Sequence, residues 1–317
     1  FNLSSINLQN SGSCLAIAWW YENWHSVQLD PATEILPTVG SKELVAWLPT
    51  LLGLRERGLT VACPSAAYPT YEMGATIAGV ECRRIDAGQI VDGASLDGVG
   101  LLWINTPSNP TGEVLDVDTL AEVVRRARAA GVVVASDECY GLLNWESDQP
   151  ATSVLSAAGE SFDGVLSVYS MSKQSNLAGY RAAFVTGDAE LISDLTRSRK
   201  HAGMIVPFPI QEAMVAGLRD SEHVLAQKET YRSRREQLRS GLEAFGFRID
   251  HSTAGLYLWS TADKNCWESL ADLAELGIVA GPGEFYGAAA ADHVRIALTA
   301  TDERIRAAAE RLRGAAN

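Results

Sequence analysis

The chain has 317 residues, 47% hydrophobic and 21% charged, enough for one large core or for a large and a small one. A net charge of −13 argues against nucleic acid or an anionic membrane as the main partner, and no apolar run is long enough to span a bilayer. The five cysteines (Cys14, Cys63, Cys82, Cys139, Cys266) lack C-x-x-C spacing and the five histidines are scattered. This pattern predicts buried thiols of a reducing, cytoplasmic compartment, with neither a disulfide framework nor a metal site.

Residues 1–13 are polar and aperiodic. Cys14 to Trp24 reads as a mostly buried helix. Ile35 to Val39 leads into Gly40-Ser41-Lys42-Glu43, where Ser41 is a candidate N-cap for a helix from Lys42 to about Leu52. A Gly-Ser helix start offers free N–H groups to a phosphate; an ordinary capped helix fits the same residues. Strand and helix patterns then alternate. Strands are predicted at 59–63, 98–104, 132–135 and 165–169, and helices at 68–77 and 117–130. Alternation of this kind implies a mostly parallel sheet covered on both faces, with ligands at the C-terminal strand ends. Leu191 to His201 is helical and Pro207 and Pro209 break it. Ile210 to about Phe245 reads as one long, charged helix linking two domains. An apolar run at 256–259, a helix near 267–276, a strand at 293–298 and a helix at 302–313 complete a smaller α+β unit. The predicted division is a large domain over 14–235 and a small C-terminal one over 236–317, with residues 1–13 packing on the latter.

Chemistry concentrates at the strand ends. The run Val165 to Tyr169 stops at Ser170-Met171-Ser172-Lys173, and Arg181 follows a small-residue turn at Ala178-Gly179. A partly buried amine becomes a nucleophile, and hydroxyls with an arginine make an anion site. Together they suggest pyridoxal phosphate held on Lys173 as a Schiff base; the alternative is a surface lysine beside a loop. Ser170-Met171-Ser172-Lys173 also matches the S-x-x-K pattern of penicillin-recognising enzymes. That family's S-D-N and K-T-G elements are missing, and its serine opens a helix whereas Ser170 closes a strand. After the strand ending at Ile104, Asn105-Thr106-Pro107-Ser108-Asn109-Pro110-Thr111-Gly112 forms a rigid loop able to aim the Asn109 amide into a crevice. After the strand ending at Ala135, Asp137 calls for a cationic partner such as a pyridinium N–H, and Tyr140 can donate to the ring's phenolate oxygen beside Asn109. Singly, Asn109 could only stabilise its turn and Asp137 could only cap a helix.

These residues carry a resemblance. The signature Ser172, Lys173, Asn176-Leu177, Gly179, Arg181, Ala183, with Asn109-Pro110-x-Gly112 and Asp137-x-x-Tyr140 in order, resembles the class I/II aminotransferases of pyridoxal-phosphate fold type I, over about residues 14–313. The resemblance implies the α/β PLP-transferase fold of aspartate aminotransferase: a mostly parallel large domain and a smaller α+β domain, in a homodimer. It implies that Lys173 carries the cofactor and Asp137 pairs with the ring nitrogen. Asn109 and Tyr140 would hold the ring oxygen. Ser170, Arg181 and the Gly40-Ser41-Lys42 backbone would bind the phosphate, and Tyr68 would stack on the ring. Arg295, which local pattern alone reads as a strand-edge charge, would grip the substrate α-carboxylate, beside Asn109. The implied reaction is ping-pong transamination between small amino and oxo acids, with glutamate as donor. Three segments, 36–45, 172–181 and 199–204, resemble actinobacterial-type N-succinyldiaminopimelate aminotransferases, which implies N-succinyl-2-amino-6-oxopimelate as acceptor. A β-lyase on the same fold, and a non-catalytic cofactor-binding protein, are the other readings. Family members usually carry an arm, a Gly-x-Pro loop and a tyrosine ahead of the first large-domain helix; about a dozen residues stand there in this sequence.

Overall fold

A computed structural model describes residues 12–316. In chain order its first elements are α1 (Gly12–His25), β1 (Ile35–Val39), α2 (Ser41–Leu51), β2 (Thr60–Cys63), α3 (Thr70–Ala78), β3 (Cys82–Arg84), α4 (Ala87–Val91) and β4 (Val99–Asn105). There follow α5 (Val117–Ala129), β5 (Val133–Asp137), α6 (Val154–Ala157), β6 (Val165–Ser170), α7 (Met171–Gln174), β7 (Ala182–Gly187), α8 (Ala189–His201) and α9 (Phe208–Arg219). The last are α10 (Glu222–Phe245), β8 (Arg248–Asp250), β9 (Tyr257–Thr261), α11 (Cys266–Glu275), β10 (Gly281–Pro282), β11 (His293–Ala297) and α12 (Asp302–Gly314).

The large sheet has seven strands in the order β1-β7-β6-β5-β4-β2-β3. Its centre is parallel, and β7 alone runs antiparallel to both its neighbours. The expected parallel sheet covered on both faces is therefore present. Strands β4 and β6 are buried at every position. Their residues alternate between two cores. Leu102, Ile104, Val165 and Tyr169 pack with α1, α5 and α9, while Leu101, Trp103, Leu166 and Val168 pack with α2, α3 and α8. Apolar residues on both faces are what a central parallel strand requires. The Trp20 ring of α1 sits 4.5 Å from the Tyr169 ring, centroid to centroid, so α1 anchors the strand that ends at Ser170.

A second, four-stranded antiparallel sheet, β10-β11-β9-β8, packs with α10, α11 and α12 around Leu238, Leu258, Leu273, Val294 and Leu312. The two cores meet at a tight point. Gly112 has φ +71°, and a Cβ there would stand 2.6 Å from the Ala254 carbonyl oxygen. The backbone N–H groups of Ser252 and Ala254 donate to Thr111 and Gly112 at 2.9 and 3.0 Å. Glycine follows Asn109-Pro110 at this spacing because the loop after β4 lies directly on the second sheet's backbone.

Several sequence expectations need correction. The predicted single helix over 210–245 is two. Asp220 leaves the helical conformation, and its Oδ1 accepts the backbone N–H groups of Glu222 and His223 at 2.9 and 3.4 Å, starting α10 afresh. Pro207 and Pro209 open α9, where a missing N–H costs nothing. Helix α2 begins at Ser41, not Lys42. Its N-cap is Gly40 at φ 79°, ψ 152°, and no side chain caps it. Helix α3 begins two residues after Tyr68, leaving that tyrosine in the preceding turn. Ser170 closes β6 and also N-caps α7, its Oγ accepting the Ser172 N–H at 3.2 Å, so strand closure does not separate it from an S-x-x-K serine. Residues 1–11, expected to pack on the smaller unit, lie outside the described residues; Gly12 and Ser13 belong to α1. Among the described residues no helix is long and apolar enough to cross a membrane.

Candidate functional site

The register of the sheet sets the site. Asn105 of β4 pairs with Asp137 of β5, so these two strands end level, and Asp137 pairs with Val168 of β6, which runs two residues further to Ser170. Their following loops line a cavity of about 580 Å³. Ser41, Lys42, Tyr68, Asn109, Asp137 and Tyr140 line it, as do Ser170, Lys173, Arg181 and Arg295. Every predicted site residue except Gly40 is thus brought to one place. Gly40 lies directly beneath it: a Cβ there would stand 2.0 Å from Arg181 Nη2. The positive φ of this glycine and the seat of the guanidinium are one feature.

Asp137 is 6% exposed. Its Oδ2 accepts the Tyr71 hydroxyl at 3.0 Å and its Oδ1 the Cys139 N–H at 3.3 Å. Burial pushes the carboxyl above its ordinary range against these hydrogen bonds. Its described partners are neutral donors, and its face toward the cavity suits a cationic N–H. Tyr71 was not singled out from the sequence. Its ring stacks on Trp103 at 5.0 Å, which fixes the hydroxyl on the carboxylate. Asn105 was likewise missed. Its Nδ2 donates to the carbonyls of Pro107 and Asp137 at 3.0 and 2.7 Å, and its Oδ1 accepts the Asn109 N–H at 2.7 Å. One side chain thus folds the loop that presents Asn109.

The anion side is built at two turns. Arg181 adopts φ 57°, and its Nη1 donates to the Ala178 carbonyl at 2.7 Å. Ser170 Oγ lies 2.9 Å from Ser172 Oγ. The first turn of α2 faces the same region, held by a bidentate bond from buried Arg199 of α8 to Glu43 at 2.8 and 2.6 Å. A helix N-terminus, an arginine and two hydroxyls make the donor set of a phosphate site. Lys173, on the single turn α7, is half-buried and lines the same cavity.

Also lining the cavity, Arg295 of β11 sits over Tyr257, its guanidinium carbon 3.8 Å from the ring centroid, with the Tyr286 ring at 5.0 Å. Its Nη1 donates to Asn109 Oδ1 at 2.7 Å, and its buried Nε has no hydrogen-bond acceptor. Tyr257 Oη also meets Tyr140 Oη at 3.3 Å. A half-buried guanidinium that lines a cavity and has its Nε unpaired is suited to a carboxylate. Beyond Lys173 a second cavity of about 460 Å³ begins, sharing Ser172, Lys173 and Ala178 with the first. Among the described residues no cluster of three or more His, Cys, Asp or Glu side chains could hold a metal ion.

The residues present fit pyridoxal phosphate. A buried carboxylate lacks a cationic partner, a glycine leaves room for the arginine of an anion site, and a lysine lines the same cavity. Comparison with known proteins agrees. The family model for aminotransferase class I and II matches residues 13–312. A probable aminotransferase of Mycobacterium tuberculosis is 51% identical over 278 residues, spanning 88% of this chain and 66%, just under two thirds, of that protein. The 4-dedimethylamino-4-oxo-anhydrotetracycline transaminase OxyQ of Streptomyces rimosus is 48% identical over 299 residues, 94% of this chain and 81% of that one. The structure of N-succinyldiaminopimelate aminotransferase from Mycobacterium tuberculosis superposes with a TM-score of 0.84 at 25% identity, covering 98% of this chain and 84% of that one.

Proposed function

This chain belongs to the aminotransferase class I and II family, whose members use pyridoxal phosphate, and from that premise we propose that it catalyses transamination between glutamate and an oxo acid. The observation that carries the reading is the convergence of Asp137, Lys173, Arg181 and Arg295 on one cavity. When bound, the cofactor supplies an electron sink for the charge left at the substrate α carbon. Asp137 would hold the proton on the ring nitrogen, and Tyr71 and the Cys139 N–H hold Asp137. Tyr140 and the Asn109 amide would hold the ring oxygen, with Tyr68 against the ring. Arg181, Ser170 and the N–H groups at the start of α2 would hold the phosphate. Arg295 grips the substrate carboxylate, with Tyr257 stacked under its guanidinium to fix the approach. Lys173 Nζ takes the proton from the substrate α carbon and later returns one to the product.

The acceptor proposed first is N-succinyl-2-amino-6-oxopimelate, an intermediate of lysine and cell-wall precursor synthesis. It is supported by the three segments quoted above and by the similarity to the mycobacterial N-succinyldiaminopimelate aminotransferase. A second reading is a bulky oxo acceptor. It is favoured by the identity with the OxyQ transaminase and by the second cavity that opens beside Lys173. A two-domain division near residue 235, inside α10, a homodimeric assembly and a cytoplasmic location belong to the same proposal. The test is the visible absorbance of the purified protein before and after glutamate is added without acceptor. A yellow band that bleaches supports the reading, and the Lys173→Ala variant should neither bleach nor turn over. No band after addition of the cofactor would refute it. Supplying the two acceptors to the bleached protein then separates the substrate readings by which one restores the band.

A further inference from the structure

Away from the cavity lip, two thiols nearly touch. Cys63 ends β2 and Cys82 begins β3, and their sulfurs are 3.2 Å apart. The two residues are diagonal neighbours: Cys63 pairs with Arg84 and Cys82 with Val61. Arg84 Nη1 donates to Cys63 Sγ at 3.3 Å and to the Pro64 carbonyl at 3.2 Å, and its Nη2 is paired with Glu72 at 2.5 Å. A cation is therefore fixed on the sulfur pair. The hydrogen bond from Cys63, and then the Arg84 guanidinium, hold the Cys82 thiol below its ordinary range. Cys82 is half-buried, whereas Cys63 is buried. Cys82 is the more exposed of the two residues, the one a small oxidant reaches first, and Cys63 is buried beside it, which is the arrangement of an attacked and a resolving thiol.

What lies next to the pair gives it a consequence. The chain leaves β2 at Cys63 and reaches Tyr68 through the turn 64–67. Asp86, two residues beyond β3, holds that turn through both carboxylate oxygens, accepting the Ser65 N–H at 2.8 Å and the Ser65 hydroxyl at 2.6 Å. The Ala67 N–H donates to the Tyr286 carbonyl at 2.8 Å, and the Tyr286 ring faces Arg295. Closing a bond between the sulfurs requires them to move from 3.2 Å to about 2.05 Å. The shift falls on β3, a three-residue edge strand paired on one side only, and Asp86 passes it to Ser65.

We propose that Cys63 and Cys82 are a peroxide-sensitive thiol pair whose oxidation to a disulfide displaces the turn carrying Tyr68. Hydrogen peroxide transfers one oxygen to the Cys82 sulfur, its O–O bond breaking and water leaving, to give a sulfenic acid. The Cys63 sulfur then attacks the Cys82 sulfur. The S–O bond breaks and the hydroxyl leaves as water with the Cys63 proton. Two thiols and one peroxide become one disulfide and two waters.

The test treats the purified protein with hydrogen peroxide, counts free thiols after denaturation, and maps the linked peptides. The expected result is the loss of two of the five thiols, a 63–82 linked peptide lighter by two hydrogen atoms, and recovery with dithiothreitol. Cys82→Ser should keep its remaining four thiols free. Cys82 halted as a sulfinic acid with Cys63 free, or a linkage to any other cysteine, would overturn the proposal. The displacement is read by the dissociation constant of pyridoxamine phosphate, expected to be severalfold weaker for the oxidised protein and unchanged by peroxide in Cys82→Ser. Equal affinity in both redox states would overturn the coupling to the turn. This second readout rests on the proposed cofactor site. Reduced protein that binds no pyridoxamine phosphate would count against that site and leave the thiol chemistry to be judged by the peptide map.

Discussion

Gly40→Ala tests how the phosphate site is assembled. Gly40 has φ 79° and ψ 152°, a region held almost only by glycine, where a side chain costs about 1–3 kcal/mol of strain. The added Cβ would meet Arg181 Nη2 at 2.0 Å and the guanidinium carbon at 2.6 Å. Those atoms end a flexible side chain, so the cheapest relief is for Arg181 to swing away. The phosphate then loses a charged hydrogen-bond partner worth about 1.5–3 kcal/mol, which is about 10- to 100-fold in affinity. Titration with pyridoxamine phosphate, which forms no covalent link to Lys173, measures that loss directly. The same titration in the Arg181→Ala background closes a double-mutant cycle. Gly40→Ala should weaken binding strongly beside Arg181 and only slightly once Arg181 is gone. Equal losses in both backgrounds would refute the reasoning, because the glycine would then be acting through the backbone alone.

Arg295→Ala should raise KM for both carboxylate substrates in steady-state assays and weaken pyridoxamine phosphate binding much less, since its one contact with the cofactor's proposed holders is the hydrogen bond to Asn109 Oδ1. Tyr71→Phe removes the hydroxyl on Asp137 Oδ2; kcat should fall about 10-fold, in line with the loss of a hydrogen bond to a charged group, and the visible band should shift in its pH titration. Glu138, directly after β5, accepts from the Val154 N–H at 2.7 Å and the Ser167 hydroxyl at 2.8 Å, and burial pushes its carboxyl from 4.5 up to about 7. The folded chain therefore keeps this proton in a window where the unfolded chain has released it. The contribution to stability is full below pH 4.5 and is lost as pH rises through about 7, on the order of 3 kcal/mol in all. Denaturant titrations across that window should show Glu138→Gln with a flatter pH dependence than the parent chain; parallel curves would refute the assignment.

The site was more legible in the sequence than the fold around it. Asn109, Asp137, Tyr140 and Lys173 each lie at or within a few residues of a strand's C-terminal end, and Arg181 follows Lys173 by eight residues, so residue type and position carry the chemistry without knowledge of packing. Tyr71 and Asn105 gave no such signal. Tyr71 matters only because α3 lays its ring on Trp103 and its hydroxyl on Asp137, two contacts distant in sequence. Asn105 reads locally as the last residue of a strand, and its three hydrogen bonds exist only once the loop is folded. Strand β1 was hidden by Pro37, which is tolerated because β1 is an edge strand paired with β7 alone. Strand β3 was hidden by Cys82-Arg83-Arg84, charged because it forms the other edge. Between α9 and α10 the charged pattern runs on without interruption. The break comes from one aspartate side chain taking two backbone donors, which periodicity does not register.

The fixed register of β4, β5 and β6 has a consequence for what this pocket can be altered to accept. Adjacent strands stand about 4.8 Å apart, so the three loops offer their groups along a baseline fixed by backbone hydrogen bonding. The sheet acts as a ruler. Exchanging side chains on it changes which atoms of a flat ring are touched, but not how far apart they can be. Room for a larger substrate must come from the directions the ruler does not measure: outward toward Arg295 and the second sheet, or past Lys173 into the adjoining cavity. Changes meant to widen specificity belong on β9, β11 and α10, and changes at the strand ends should alter the chemistry first.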